Sequence, residues 1–191
     1  MRQTVLKNLV YLSVAIGCGI SARPAAGASD TWVTGIEAGT GLMQQPSSQY
    51  FLLGYSGTVL LTHAKLTAGV AATFLGRPAF ESGNYAEQDY GGLIEFRKGV
   101  RVWKSVQLAA GLGVGEMRGY VKRTGENPLR SDYRMRGAST TIQLSWVPPK
   151  ASGASLFLSH TLFSGFSTQT QSQARVAWPW SFAMFGAGFR T

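Results

Sequence analysis

The sequence predicts an all-β fold: an eight-stranded antiparallel up-and-down transmembrane β-barrel. Three observations lead there. The stretch Lys104–Gly115 alternates strictly, with Val106, Leu108, Ala110, Leu112 and Val114 on one face, the two-residue period of a strand. Its other face, Gln107, Ala109, Gly111, Gly113 and Gly115, is small or polar rather than charged. A water-exposed exterior carries charge, whereas a narrow lumen needs small residues. Finally, after a short first join, long and short connections alternate, as loops and turns do in barrels that cross a membrane.

Bulk properties agree. The chain has 191 residues, enough for one domain, with 45% apolar, 12% aromatic and only 14% charged residues. A disordered chain shows the opposite balance. The N-terminus reads as a secretory signal over residues 1–28, followed by the barrel over 29–191. Arg2 and Lys7 precede the apolar run Leu9–Ala22, and Ala26, Gly27 and Ala28 form a small-residue cleavage site. Cleavage before Cys18, as in a lipoprotein, is the alternative. Losing Arg2, Lys7 and Arg23 leaves 15 basic residues against 9 acidic ones, a net charge of +6. No later stretch reaches the ~20 apolar residues of a membrane helix, so a membrane-embedded chain must be a barrel.

Eight segments follow in order. Thr31–Met43 sets Trp32, Thr34, Ile36, Ala38 and Leu42 against Gly35, Glu37, Gly39 and Gly41. Tyr50–Thr62 sets Phe51, Leu53, Tyr55, Val59 and Leu61 against Gly54, Ser56 and Thr58. Ala64–Leu75 sets Leu66, Val70, Ala72 and Phe74 against Lys65, Thr67, Gly69 and Thr73. Ala86–Arg97 sets Tyr90, Gly92, Ile94 and Phe96 against Glu87, Asp89, Gly91 and Glu95. Lys104–Gly115 is the fifth, and Gly137–Val147 sets Ile142, Leu144 and Trp146 against Ser139, Thr141, Gln143 and Ser145. Ala154–Phe163 carries Leu156, Leu158 and Leu162 on one face with His160. Gln173–Arg190 begins with Val176, Trp178, Trp180 and Phe182 on its apolar face, and Pro179 implies a bulge that switches the faces beyond it, at Phe185 and Phe189. Trp32, Trp103, Trp146 and Trp178 fall near segment ends, where interfacial girdles form. The joins are short around His63, at Lys98–Trp103 and at Pro148-Pro149; they are long at Gly76–Tyr85, Arg118–Arg136 and Ser164–Ser172.

With its signal, eight alternating segments and closing Phe185–Thr191, the chain resembles the small eight-stranded outer-membrane proteins of the OmpX and OmpA transmembrane-domain kind. The resemblance implies residence in a bacterial outer membrane. It also implies recognition of the last strand by the barrel assembly machinery, although the last aromatic residue, Phe189, is followed here by Arg190 and Thr191.

Chemistry-bearing residues are few. Two histidines, His63 and His160, and a single cysteine inside the leader make a metal site or cysteine nucleophile unsuited to this chain; no cofactor is expected. Around Ser159 and His160 the segment is loosely similar to PagL-type lipid A deacylases, in which a serine lies two residues after the histidine. Here that position is Leu162; Ser159 points to the opposite face and Ser164 lies roughly 13 Å along the strand. No carboxylate follows Asp132, so no catalytic residue is assigned. Glu37, Lys65, Glu87, Asp89, Glu95 and Arg175 fall on inward positions, where compensating ion pairs fill a narrow lumen. The stretch Arg118–Arg136 holds Arg118, Lys122, Arg123, Arg130, Arg134 and Arg136 against Glu126 and Asp132, a net of +4. Such a segment suits phosphate, which guanidinium groups grip through their planar fork.

The role that fits most residues is a monomeric, non-catalytic barrel set in outer-membrane lipid for structure or surface interaction, contacting lipopolysaccharide or another anionic surface polymer through the basic segment. Two alternatives stand beside it: a lipid A acyl-ester hydrolase, and a secreted soluble barrel with an apolar ligand. Nucleic acid is excluded as a partner by export. The glycine patterns near Lys65 and Gly113 repeat at period two without a following helix and make no nucleotide site.

Overall fold

The computed structural model describes residues 30–44, 52–82, 85–123, 129–148, 153–170 and 180–191. The leader, Arg175 and Trp178 lie outside them. Nine strands are present among these residues: β1 (Trp32–Gln44), β2 (Leu52–His63), β3 (Ala68–Gly76), β4 (Phe80–Ser82), β5 (Tyr85–Trp103), β6 (Val106–Arg123), β7 (Leu129–Trp146), β8 (Ala154–Thr170) and β9 (Trp180–Arg190). All neighbours are antiparallel, and the sheet closes because β1 pairs with both β2 and β9 while β3 pairs with β5. The short β4 pairs with β5 beyond β3, so β3 and β4 form one stave interrupted at Arg77–Ala79. Across the interruption Arg77 N donates to Asp89 O at 3.0 Å. The result is an eight-stave closed barrel.

Alternation along the staves sorts residues as the period predicts. Ile36 on β1 is 63% exposed and Val114 on β6 is 64% exposed, while Glu37 and Glu95 are buried. The outer face carries a continuous apolar band, whose rows include Val59, Phe74, Ile94, Leu112, Val114 and Leu144. A band of that kind belongs against hydrocarbon, not water. At the end bearing the short turns, Trp32 stacks edge-on against His63 at 5.1 Å, and His63 meets Asp30 at 3.1 Å.

Four expectations need correction. Trp180 and Phe182 point into the lumen and are fully buried, because the register sets them beside Phe163 and Thr161; beyond them Phe185 and Phe189 take the outer face, as the expected switch of faces after Pro179 requires. Lys65 faces solvent in the 64–67 turn rather than the lumen. Lys98–Trp103 is strand, and the turn is the two residues Lys104 and Ser105. The stretch Arg118–Arg136 is mostly hairpin, since β6 and β7 stay paired as far as Arg123 and Leu129.

The lumen is filled in two layers. Towards the long hairpins lies an apolar layer of Met43, Leu75, Met117, Met135, Phe163, Trp180, Phe182 and Met184. There Trp180 and Phe182 stack at 6.3 Å with 15° between their planes. Towards the short turns lies a polar layer, described below. Phe157 on β8 and Met184 on β9 reach across to Gly39 on β1 and Gly54 on β2, as a bore of this width requires. Glycine is also needed where an inward side chain of the neighbouring stave comes close. Gly113 is one such position: a Cβ there would meet Ile94 O and would sit 2.6 Å from Glu95 Cγ. Gly113→Val should therefore lower stability by about 1–3 kcal/mol, read as a lower urea midpoint for loss of heat-modifiable gel migration.

Candidate functional site

The polar layer is one connected network. Glu95 is fully buried, accepting from Ser139 Oγ at 2.9 Å and Thr141 Oγ1 at 2.7 Å through one oxygen. Its other oxygen accepts from Arg97 Nε at 3.1 Å and Nη2 at 2.8 Å. Arg97 also donates to Gln143 Oε1 and Thr73 Oγ1, both at 3.0 Å, and Gln143 donates to Glu37 Oε1 at 2.9 Å. Arg190 approaches Glu37 at 3.7 Å and donates to Gln107 Oε1 at 3.2 Å. Two carboxylates thus face two guanidinium groups. Nearer the long hairpins, buried Arg77 pairs with Glu87 and Asp89. The sequence placed Glu37, Glu87, Asp89 and Glu95 correctly and missed Arg77 and Arg97. Arg97 lies two residues from Glu95, so parity alone could have found it; Arg77 sits in the strand interruption, where no period applies. Buried charges that compensate one another in this way fill the bore around Glu95, beneath an open vestibule of about 940 Å³ lined by Arg97, Gln107, Gln143 and Arg190.

His160 lies on the outer wall, and its Nε2 is 2.8 Å from Ser181 Oγ. The register that aligns Leu162 with Ser181 creates this contact, and a separation of 21 residues hid it from the sequence. Ser159 faces the lumen side of the same stave. A serine–histidine pair is the first half of an activated nucleophile, and a carboxylate that orients the imidazole is the other. Among the described residues, none occupies that place.

The basic segment forms a site on the same outer wall. Cross-strand register puts Glu116 opposite Arg136 and Arg118 opposite Arg134, directly above the apolar row of Val114 and Ile94. Glu116 Oε1 accepts from Arg118 Nε at 2.5 Å; its Oε2 accepts from Arg136 Nε at 2.9 Å and meets Arg134 Nη2 at 2.6 Å. One carboxylate gathers three guanidinium groups, which are 51%, 42% and 68% exposed for Arg118, Arg134 and Arg136. Each guanidinium has five donors and Glu116 offers only two oxygens, so outward donors remain for an anion. Lys122 is exposed further along β6, opposite Arg130 on β7; Arg123 pairs with Leu129. Tyr90 on β5 and Asp132 on β7 flank the cluster along its strands. The sequence named these arginines but not Glu116, their hub, because it looked like the end of a strand.

The three arginines, Arg136 foremost, hold the Glu116 carboxyl well below the usual carboxylate range, at about 2. The carboxylate therefore stays ionised through the physiological range. Three guanidinium charges against that one leave the cluster at a net +2.

No family model and no curated protein matches this chain. Solved structures do. The chain is similar to Ail, the attachment invasion locus protein of Yersinia pestis, solved in complex with the heparin analogue sucrose octasulfate: 12% identity, TM-score 0.57, covering 84% of this chain and 97% of that one. It is similar to Neisserial surface protein A at 14% identity and TM-score 0.55, covering 86% and 98%. A major outer membrane protein from Thermus thermophilus aligns at 13% identity and TM-score 0.59, covering 84% and 100%. The fold is that of small outer-membrane β-barrels.

Each hub carboxylate carries a defined consequence. Glu95→Ala leaves Arg97 buried without its main partner and should cost about 3–5 kcal/mol in urea-unfolding free energy. Glu116 should titrate near pH 2 by carboxyl NMR. Because its folded value lies below the unfolded one, the stability it contributes is present above pH ~4.5 and lost as pH falls towards 2; Arg136→Ser should move the midpoint upward.

Proposed function

We propose that this chain is a bacterial outer-membrane barrel whose role is surface interaction rather than transport, made by the Arg118, Arg134 and Arg136 cluster to the phosphates of lipopolysaccharide. The carrying observation is the position of that cluster: three exposed guanidinium groups on the outer wall, at the edge of the apolar band. Lipid phosphates border the hydrocarbon core of a bilayer, and guanidinium–phosphate pairs are among the stronger charge-assisted hydrogen bonds. The secretion-type leader, the lipid-compatible band and the fold support the location. The alternation of short turns and long hairpins supports placing the cluster on the cell's outer side. The filled lumen argues against general diffusion. The sucrose octasulfate complex of Ail offers a parallel, a polyanion in complex with a barrel of this fold.

A second reading rests on the His160–Ser181 contact: acyl-ester hydrolysis of lipid A. Its test is the acyl pattern of lipid A from cells with the parent chain and with His160→Ala. Identical patterns remove it.

The surface-interaction reading predicts that replacing Arg118, Arg134 and Arg136 together by Ser weakens lipopolysaccharide binding by at least about tenfold. Titration of the folded protein with lipopolysaccharide at two salt concentrations checks this. Unchanged affinity, or affinity indifferent to salt, sinks the reading.

A further inference from the structure

Immediately beside the arginine cluster the outer wall is concave. An open, shallow groove of about 890 Å³ lies against it in the apolar band, lined by Gly57, Val59, Phe74, Gly92, Ile94 and Val114. One cross-strand row links this lining to the cluster: Gly57 pairs with Phe74, Phe74 with Gly92, Gly92 with Glu116 and Glu116 with Arg136. The groove and the cluster are therefore two ends of a single row of residues on β2, β3, β5, β6 and β7.

The two glycines are the telling feature. Inward glycines such as Gly113 and Gly111 are demanded by a nearby side chain, Glu95 in one case and Arg97 in the other. Gly57 has no such demand: a Cβ there would meet nothing within 4 Å. At Gly92 it would meet only Thr73 O, at 3.9 Å. Neither has a positive φ. Glycine weakens a strand and packs nothing, and an outward position facing hydrocarbon favours a bulky apolar residue. Two glycines that the fold does not require both line the same groove.

We infer that this groove seats an acyl chain of the same outer-leaflet lipid whose phosphates the arginines hold, a bisphosphorylated, acylated glycolipid of the lipid A type. The inference rests on the proposed surface role and adds a discrete binding site to it. Charge complementarity selects the occupant, since the groove opens at its head onto the net positive arginine cluster. Hydrocarbon gains no hydrophobic free energy by leaving lipid for a protein groove, so the phosphate contacts supply the attraction. The groove adds shape, through the many small dispersion contacts of a chain lying along Val59, Phe74 and Ile94.

The test uses the full folded protein with three variants: Gly57→Leu with Gly92→Leu, the milder Gly57→Ala with Gly92→Ala, and Arg134→Ser with Arg136→Ser. Bisphosphorylated lipid A, phosphatidylglycerol and the acyl-free polyanion sucrose octasulfate are the probes, and bound lipid is counted by native mass spectrometry. Heat-modifiable migration reports folding, and the alanine pair keeps the test open if the leucine pair fails to fold. Filling the groove should reduce lipid A binding about tenfold for Leu and less for Ala, as dispersion contacts are lost, and leave sucrose octasulfate unchanged. The arginine variant should lower both. Lipid A retained at parental level by the filled groove overturns the groove while leaving the surface role standing. An arginine variant that binds both probes normally overturns the two together. Phosphatidylglycerol bound as tightly as lipid A overturns the assigned occupant.

Discussion

A closed sheet of eight staves leaves a bore only as wide as the side chains that fill it, and most of this molecule follows from that constraint. Closure runs the ladder from β1 on β9 round to β3 on β5, so no edge is left among the staves to be protected. Filling then becomes a matter of volume. Glycines on β1 and β2 face bulk contributed by β8 and β9, with Phe157 against Gly39 and Met184 against Gly54. Trp180 and Phe182 turn inward with them, against the phase read from the residues before Pro179.

The two layers of the lumen solve the same packing problem with different chemistry. The apolar layer packs Met43, Met117, Met135 and Met184 around Phe163, Trp180 and Phe182, where unbranched thioethers adapt to irregular gaps. The polar layer holds Glu37, Glu95, Arg97 and Arg190 at a desolvation cost that is tolerable because each charge meets an opposite one. Glu95 and Arg97 extend their hydrogen bonds to Ser139, Thr141, Gln143 and Thr73. Charges inside such a bore are structural before they are functional, and the outer wall is left to carry recognition.

That wall changes character abruptly along β6. Through Val114 it offers hydrocarbon to its surroundings; two residues later it offers Glu116 and then Arg118. Because β7 runs antiparallel, its own transition from Ala138 to Arg136 falls at the same level, and the three arginines converge on one carboxylate. Strands longer than a bilayer crossing make this possible: β5 to β8 span 17 to 19 residues against the ~9–11 that a tilted crossing needs. The excess forms the hairpin wall on which the proposed lipid contact stands.

By itself the sequence determined the fold class, the two faces of most staves and the identity of the basic segment, because each depends on a two-residue period or on local composition. Val106 to Val114 and Glu37, Asp89 and Glu95 were legible for that reason. What only the tertiary structure decided depends on register between staves, which no period along one chain encodes. Gly57, Phe74, Gly92, Glu116 and Arg136 share a row only after closure sets five strands against one another. Ser181 reaches His160, and Glu116 becomes the hub of three arginines on the same terms. A one-residue slip would turn each of them to the opposite face, so the candidate sites are properties of the closed barrel.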